Sequence, residues 1–394
     1  MPIRTGDPEM AREINRSLIL SFLRSVKKTH RAEIAKELDL TKATVTTIVN
    51  QLIEEELIKE LGEGESQKIG GRRPVLIALD NLNNLIIGID IGKTNTVIAI
   101  GDLNGKLIKL SRKATVKDPI VSNVIRHISR ILKNIIEETK IDKEKIIGVG
   151  VSAAGIVKSD EGIIELSPDF NWKNVQLKNL LASELNYPVV IDNCTRVMML
   201  GETWFGNAKK VRNAFFVNIG YGIGSAVIID GKIYNNHSEF GHLYVTNKNI
   251  KCYCEKYGCL EAVASGNAIE KIANKTLNKK GKNWLTAKDV AMMARDGNKP
   301  ANKIFIDAGK YIGRSISSVA NFLNPEKIII GGGVSLAGDL LLNPIIEEFQ
   351  KQTMEVIKSN TSIEFSKLGM DAGVLGAIAL GLNHFIFKSE KNEV

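Results

Sequence analysis

Two stretches of this chain repeat one order of elements. LIIGIDIGKTNTVIAIGDLNGKLI (85–108) and AFFVNIGYGIGSAVIIDGKIY (214–234) each read as an apolar strand, a glycine turn, a second strand and a hairpin. A helix is expected at about 120–139, followed by the strand IIGVGVSAAGIV, and IIIGGGVS (328–335) reads as a strand running into a glycine turn. Strand–helix alternation with two similar openings predicts a duplicated α/β fold with a cleft between two lobes. The turns bring together Asp90, Gly92 and Thr94, then Gly220 and Gly222, then Gly332. Glycines let backbone N–H groups approach a phosphate, and an adjacent Asp can hold Mg²⁺. Tight strand-to-helix turns without a ligand would use the same residues.

The first eighty residues have a different texture. Residues 8–27 place apolar side chains at helical spacing. Thr29 is expected to cap a second helix, RAEIAKEL. After a turn at Asp39-Leu40, Thr41 caps a third, KATVTTIVNQLIEEEL, with Val45, Ile48, Val49 and Leu52 on its buried face. Two short helices and a tight turn make a helix-turn-helix. Thr41, Lys42, Thr44, Thr46 and Thr47 lie towards the end of the third helix that would enter a major groove. Two apolar runs around GEGESQKIGGRRP read as a β-hairpin wing, with Arg72 and Arg73 at its tip placed for phosphate or a minor groove. A three-helix interaction module without a DNA role is the alternative.

Net charge does not decide between them. The chain carries +9, but residues 1–80 hold 13 Lys/Arg and 13 Asp/Glu. The surplus is scattered over the rest, so a DNA role rests on pattern. With 44% hydrophobic and 25% charged residues, neither a disordered chain nor a coiled coil is expected. No stretch reads as a membrane span, and the N-terminus has no apolar leader core, so a cytoplasmic protein is expected. Three of the four cysteines cluster as Cys252, Cys254 and Cys259, ten residues after Glu239-Phe-Gly-His242. One His and three Cys make a closed tetrahedral set for structural zinc; reduced thiols in a loop are the alternative.

The string EFGH…CxCxxxxGCLEAVASG, the DIG-x-T turn at 90–94, GYGIG at 220–224 and IIIGGGVS resemble the ROK family of repressors, open reading frames and sugar kinases. The N-terminal segment, with NR-x-x-IL, RAEIAKELDLTKATVTTIVNQL and GGRRP, resembles the family's regulators of the xylose and N-acetylglucosamine type. The resemblance implies a winged helix-turn-helix followed by a two-lobed actin/hexokinase-like domain, a duplicated ribonuclease H-like fold. The boundaries expected are 1–80 for the DNA-binding domain and 81–394 for the sugar-binding domain. Within the latter, the small lobe spans about 82–190 and the large lobe about 191–394, with a zinc loop at 237–261. Carried over by motif, Asn193, Glu239, His242, Glu261, Gly155 and Asn171 contact the sugar. His242 would bind zinc through one ring nitrogen and sugar through the other.

Three departures bear on function. Cys194 stands where the family's kinases carry the Asp general base, a loss of the ~10²–10⁴-fold that such a base contributes. Lys93 replaces a glycine in the first phosphate turn, and Tyr221 replaces a small Thr in the second. All three fall on kinase chemistry and none on zinc ligands. The expected protein is therefore a sugar-responsive transcriptional regulator, most simply a repressor of carbohydrate-utilisation genes. No catalysis is expected of it, nor bound ATP or Mg²⁺. Its expected partners are double-stranded operator DNA, a sugar effector and a second copy, as a homodimer or a dimer of dimers. An ATP-dependent sugar kinase with a DNA-binding head is the competing expectation.

Overall fold

The computed structural model describes residues 8–63, 73–236, 238–278 and 283–387. Helix α1 (Pro8–Val26) buries Ile19, Leu20 and Leu23. A two-residue strand, β1 (Thr29–His30), leads into α2 (Arg31–Glu37), and a turn through Asp39 (φ 52°) leads into α3 (Lys42–Glu54). Thr41 caps α3 as expected, accepting from Thr44 N at 3.1 Å. Thr29 does not cap α2. His30 does, through Nδ1, which accepts from Glu33 N at 3.1 Å. Thr29 stays extended to pair with Ile77, so the cap falls one residue later than expected while the helix starts at Arg31, as the sequence suggests. Strands β2 (Ile58–Glu63) and β3 (Val75–Leu79) form the antiparallel wing, with sheet order β1-β3-β2. The wing-tip segment 64–72, Arg72 included, lies outside the described residues.

The first lobe follows a short linker. Strands β4 (Leu85–Ile91), β5 (Asn95–Asp102) and β6 (Leu107–Ala114) form a meander; α4 (Val121–Thr139) then crosses to β7 (Ile146–Ala153). A small antiparallel sheet, β8 (Ile156–Lys158), β9 (Ile163–Ser167) and β10 (Trp172–Val175), precedes α5 (Leu177–Leu185), β11 (Val189–Asn193) and α6 (Cys194–Phe205). The second lobe opens with the meander β12 (Ala214–Ile219), β13 (Ile223–Ile229) and β14 (Lys232–Ile233). Helices α7 (Leu260–Ala264), α8 (Gly266–Thr276), α9 (Ala287–Arg295) and α10 (Lys299–Leu323) lead to β15 (Lys327–Gly331). Then come α11 (Asp339–Gln352), α12 (Glu355–Lys358), β16 (Ser362–Phe365) and α13 (Ala372–Leu382).

The two main sheets have matching topologies. Their orders are β11-β7-β4-β5-β6 and β14-β13-β12-β15-β16. In each, the second strand of the meander is antiparallel and the two later strands run parallel to the first. This is the duplication expected from the repeated hairpin openings. β4 and β12 sit centrally and read as near-continuous apolar runs because helices cover both faces of their sheets.

The lobes are not divided cleanly at about residue 190. β11 belongs to the first sheet down to Asn193, and the C-terminal α13 returns to pack on that sheet and on α6. Glycines make its seat. A Cβ on Gly150 would lie 1.9 Å from the Ala377 carbonyl oxygen, and one on Gly376 would lie 2.0 Å from that of Val197. A Cβ on Gly88 would meet the Val374 carbonyl oxygen at 2.6 Å. The stretch Gly369–Phe387 is long and apolar enough to cross a membrane, contrary to the sequence expectation. It is mostly buried, and α13 is apolar all round because it is a central core helix.

The head is joined to this core. Ile19, Leu20 and Leu23 share one apolar cluster with Ile378, Leu382, Ile386 and Phe387. Ser17 Oγ donates to the Phe387 carbonyl. The Arg24 guanidinium lies 3.6 Å from the centroid of the Trp204 ring, at the end of α6, and burial lowers its pKa to about 10. The linker is pinned: Asp80 accepts from Lys59 Nζ at 3.2 Å, and Asn84 Nδ2 donates to the Glu56 carbonyl at 2.7 Å.

The seat of α13 can be tested by thermal unfolding. Gly150→Ala is expected to destabilise by at least ~1–3 kcal/mol, because backbone must move to admit the methyl. Gly333→Ala, with nothing within 4 Å of its Cβ, is expected to stay within ~0.5 kcal/mol of wild type.

Candidate binding cleft and metal centre

Asn193 ends β11 and caps α6. Its Oδ1 accepts from Thr195 N at 2.9 Å and Arg196 N at 3.2 Å, and its Nδ2 donates to the Gly155 carbonyl at 2.8 Å. Two sequence-predicted residues are thus brought together. The amide oxygen is already doubly used, so one N–H remains for a ligand. Gly155 has φ +121°, and a Cβ there would lie 2.4 Å from the Leu166 carbonyl oxygen, so the turn requires glycine.

Asp192 is unavailable as a substitute base. It is ion-paired with buried Arg196 and accepts from Ser159 Oγ at 2.6 Å. Cys194 opens α6, within electrostatic reach of Asp90 and Asp169. Burial first, and those two charges next, push its thiol up to about 12. At neutral pH it is protonated and cannot accept a proton from a hydroxyl.

Asn171 is exposed at a left-handed turn (φ 55°). Its neighbour Asp169 supplies the charge in the cleft, acting on Cys194, Tyr221, Tyr253 and Glu261. Burial raises the Asp169 pKa, and nearby Lys93 opposes the shift. Lys93 Nζ donates to the Asp169 carbonyl, and its ammonium lies 5.9 Å from the Phe170 ring centroid. The lysine therefore ties the first glycine turn to the loop after β9. The sequence singles out Asn171 in this loop rather than Asp169; Asn171 lies between the buried Phe170 and Trp172.

The glycine turns are held by internal contacts. Asp90 accepts from Ser152 Oγ at 2.6 Å and abuts Gly373, where a Cβ would lie 2.3 Å from its carboxylate; burial raises its pKa. Gly92 N donates to the Asn95 carbonyl at 3.0 Å and Thr94 Oγ1 accepts from Asn95 Nδ2 at 3.1 Å. Gly220 N donates to the Gly222 carbonyl at 2.9 Å. Gly222 makes room for a carboxylate: its Cβ would lie 2.4 Å from Glu261 Oε2, which accepts from Ile223 N at 2.7 Å. Burial raises the Glu261 pKa to about 7, with Asp169 and Glu239 adding to the rise. Gly332 has φ +87° at the turn after β15, and Tyr221 is 42% exposed.

His242, Cys252, Cys254 and Cys259 bring four ligand atoms within 4.8 Å of one another. Cys254 Sγ and Cys259 Sγ are 3.6 Å apart; Cys252 Sγ and His242 Nδ1 are 3.7 Å apart. Zn–S bonds of ~2.3 Å in a tetrahedron give ligand edges of roughly 3.6–3.8 Å, so this donor set fits a four-coordinate metal. With Nδ1 on the metal side, His242 Nε2 faces the cleft, 2.8 Å from Tyr253 Oη and 3.8 Å from Glu239 Oε2.

On the head, α3 exposes Lys42, Ala43, Thr46, Thr47 and Asn50. Thr41 and Thr44 turn their hydroxyls towards each other at 2.9 Å, so both serve the cap. Thr46 Oγ1 donates to the Lys42 carbonyl at 2.8 Å. Arg31, not singled out from sequence, donates to Asn50 Oδ1 at 3.0 Å beside this face. Arg73 faces Glu63 across the wing at 3.8 Å.

Fold and cleft together define a class: two-lobed, hexokinase-like proteins, here with an added helical head. Within that class the chain belongs to the ROK family, which matches residues 86–384. The xylose repressor of Caldicellulosiruptor bescii is 30% identical over 395 residues, covering 97% of this chain and 98% of that protein. The glucokinase of Halalkalibacterium halodurans is 32% identical over 305 residues, covering 74% of this chain and 92% of the enzyme. A solved ROK-family transcriptional regulator, described as a homologue of the E. coli Mlc protein, superposes with a TM-score of 0.83 at 24% identity. It covers 96% of this chain and 97% of its own, so the likeness in fold includes the head.

Loss of the α6 cap is measurable. Asn193→Ala is expected to cost ~0.5–2 kcal/mol in denaturant unfolding, and Asn193→Asp, which keeps a capping oxygen, distinctly less.

Proposed function

We propose that this protein is a sugar-responsive DNA-binding regulator, a repressor of carbohydrate-utilisation genes released from its operator by a sugar in the cleft. The observation that carries the reading is α6. Its N-cap, Asn193, lies in the cleft, and Trp204 at its other end packs under Arg24 of the head helix α1. A ligand that changes the pose of α6 or the closure of the lobes therefore acts on the head through packed contacts. To shift operator binding, the sugar must bind the two poses unequally. Glu239, Glu261, Asp169, the free Asn193 N–H and the cleft-facing nitrogen of His242 are the sugar-binding groups. Gly155 shapes the loop beside them. The full-length relation to a protein named xylose repressor supports xylose as the first sugar to test.

The reading has further parts. His242, Cys252, Cys254 and Cys259 hold structural zinc; bound there, zinc fixes the tautomer and aim of the His242 ring. Lys42, Thr46 and Thr47 approach base edges, with Thr41 and Thr44 holding the helix end and Arg73 near the backbone. Two copies place two heads on a palindromic site, as a dimer or a dimer of dimers, in the cytoplasm. Phosphoryl transfer is lost. The protonated Cys194 thiol, Lys93 tied to Asp169, and Tyr221 in the second turn support that. The competing kinase reading has one observation in its favour, the relation to a glucokinase over three quarters of the chain.

Fluorescence anisotropy at fixed salt, on DNA from upstream of the gene, is the test. Sequence-selective binding released by one sugar is expected, with no ATP turnover on the same sugar panel. Failure of selective binding together with ATP turnover would overturn the reading. Glu239→Ala is expected to keep operator affinity and to lose sugar release. Metal analysis is expected to give one zinc per chain, with chelation lowering the thermal midpoint; a metal-free, equally stable protein would rule out a structural metal.

A further inference from the structure

Tyr253 stands between two of the metal ligands, on a turn with little freedom of its own. Cys252 N donates to the Lys256 carbonyl at 2.8 Å, and Gly258 holds φ +74°. The side chain nevertheless projects outward, 56% exposed, and its ring meets the His242 ring edge-on at a centroid distance of 5.0 Å. Its hydroxyl lies 2.8 Å from His242 Nε2, and the charges of Glu261, Glu239 and Asp169 all act on it. The phenol thus contacts one of the groups assigned above to the sugar, His242, and lies within electrostatic reach of three others.

The chemistry of the imidazole makes that position exclusive. With Nδ1 directed at the metal, Nε2 carries the ring's single remaining hydrogen. That hydrogen serves one good acceptor at a time. With Nδ1 on a metal, the acceptor at hand is Tyr253 Oη, 2.8 Å away. A sugar oxygen can take it only if the phenol leaves. The exposed side chain can swing out by rotation about χ1 without disturbing the turn.

We propose that Tyr253 is a built-in competitor for the effector, occupying His242 Nε2–H in the sugar-free protein and yielding it when a sugar oxygen binds. The proposal rests on the cleft being the sugar site. It makes Tyr253 a residue that sets the effector concentration needed for release, and it explains a tyrosine on an otherwise constrained metal turn.

Calorimetric titration of the full-length, zinc-loaded protein with D-xylose, D-glucose and N-acetylglucosamine tests it, using wild type, Tyr253→Phe and Glu239→Ala. Tyr253→Phe removes the competing acceptor and keeps the ring, so tighter binding by about 3- to 10-fold is expected, the worth of one neutral hydrogen bond. The same shift is expected in the sugar concentration that releases DNA. Unchanged or weaker binding by Tyr253→Phe, with Glu239→Ala weakened, would overturn the competitor role and leave the sugar site standing. Undiminished binding by Glu239→Ala, or no sugar binding by any of the three proteins, would overturn the site and the competitor together.

Discussion

The whole arrangement depends on how closely α13 approaches its neighbours. Glycines at 88, 150 and 376 let backbone meet backbone where any side chain would collide. Through that contact α13 becomes part of the first lobe, of the packing on α6 and of the floor beneath the head. Packing at this density has no slack to absorb a shift, so a movement at one face must be passed on or resisted. α6 gains its importance from the same contact. It is clamped along its side by α13, capped in the cleft by Asn193, and ended by Trp204 against the head.

The cleft lies in a frame shared with sugar kinases of the family. Acceptors, a capped helix terminus and an oriented imidazole remain. The glycine turns around them make internal contacts. Lys93 spans to the Asp169 carbonyl, Asp90 is hydrogen-bonded to Ser152 and packed on Gly373, and Gly222 gives its space to Glu261. The metal centre follows the opposite logic: four donors from one short segment already lie at the spacing of a tetrahedral ion.

Much of this was legible in the sequence. The repeated strand–turn–strand openings disclosed the duplication, because alternation and hairpin turns are local signals. The His and Cys spacing disclosed the donor set for the same reason. What stayed hidden was decided by partners distant in the chain. Thr29 looks like a cap until β3 claims it for a strand. Asn171 stands out in the sequence, whereas the electrostatic reach of Asp169 depends on residues far along the chain. Asn193 looks free until the α6 terminus and Gly155 occupy most of its amide. The return of α13 cannot be read from its own composition, since an all-round apolar helix suits a core and a bilayer alike.

The shared cluster between α1 and the C-terminal segment bears on how such regulators can be recombined. Ile19, Leu20 and Leu23 are completed by Leu382, Ile386 and Phe387, and Arg24 by Trp204. The DNA-reading end is therefore not a cassette. A chimera that joins this head to a foreign sugar domain at the linker would strand an apolar surface on both halves. One that also carried the matching C-terminal segment and the end of α6 would restore it. Side-chain changes on the exposed face of α3 leave that cluster intact, whereas exchange of the whole head does not.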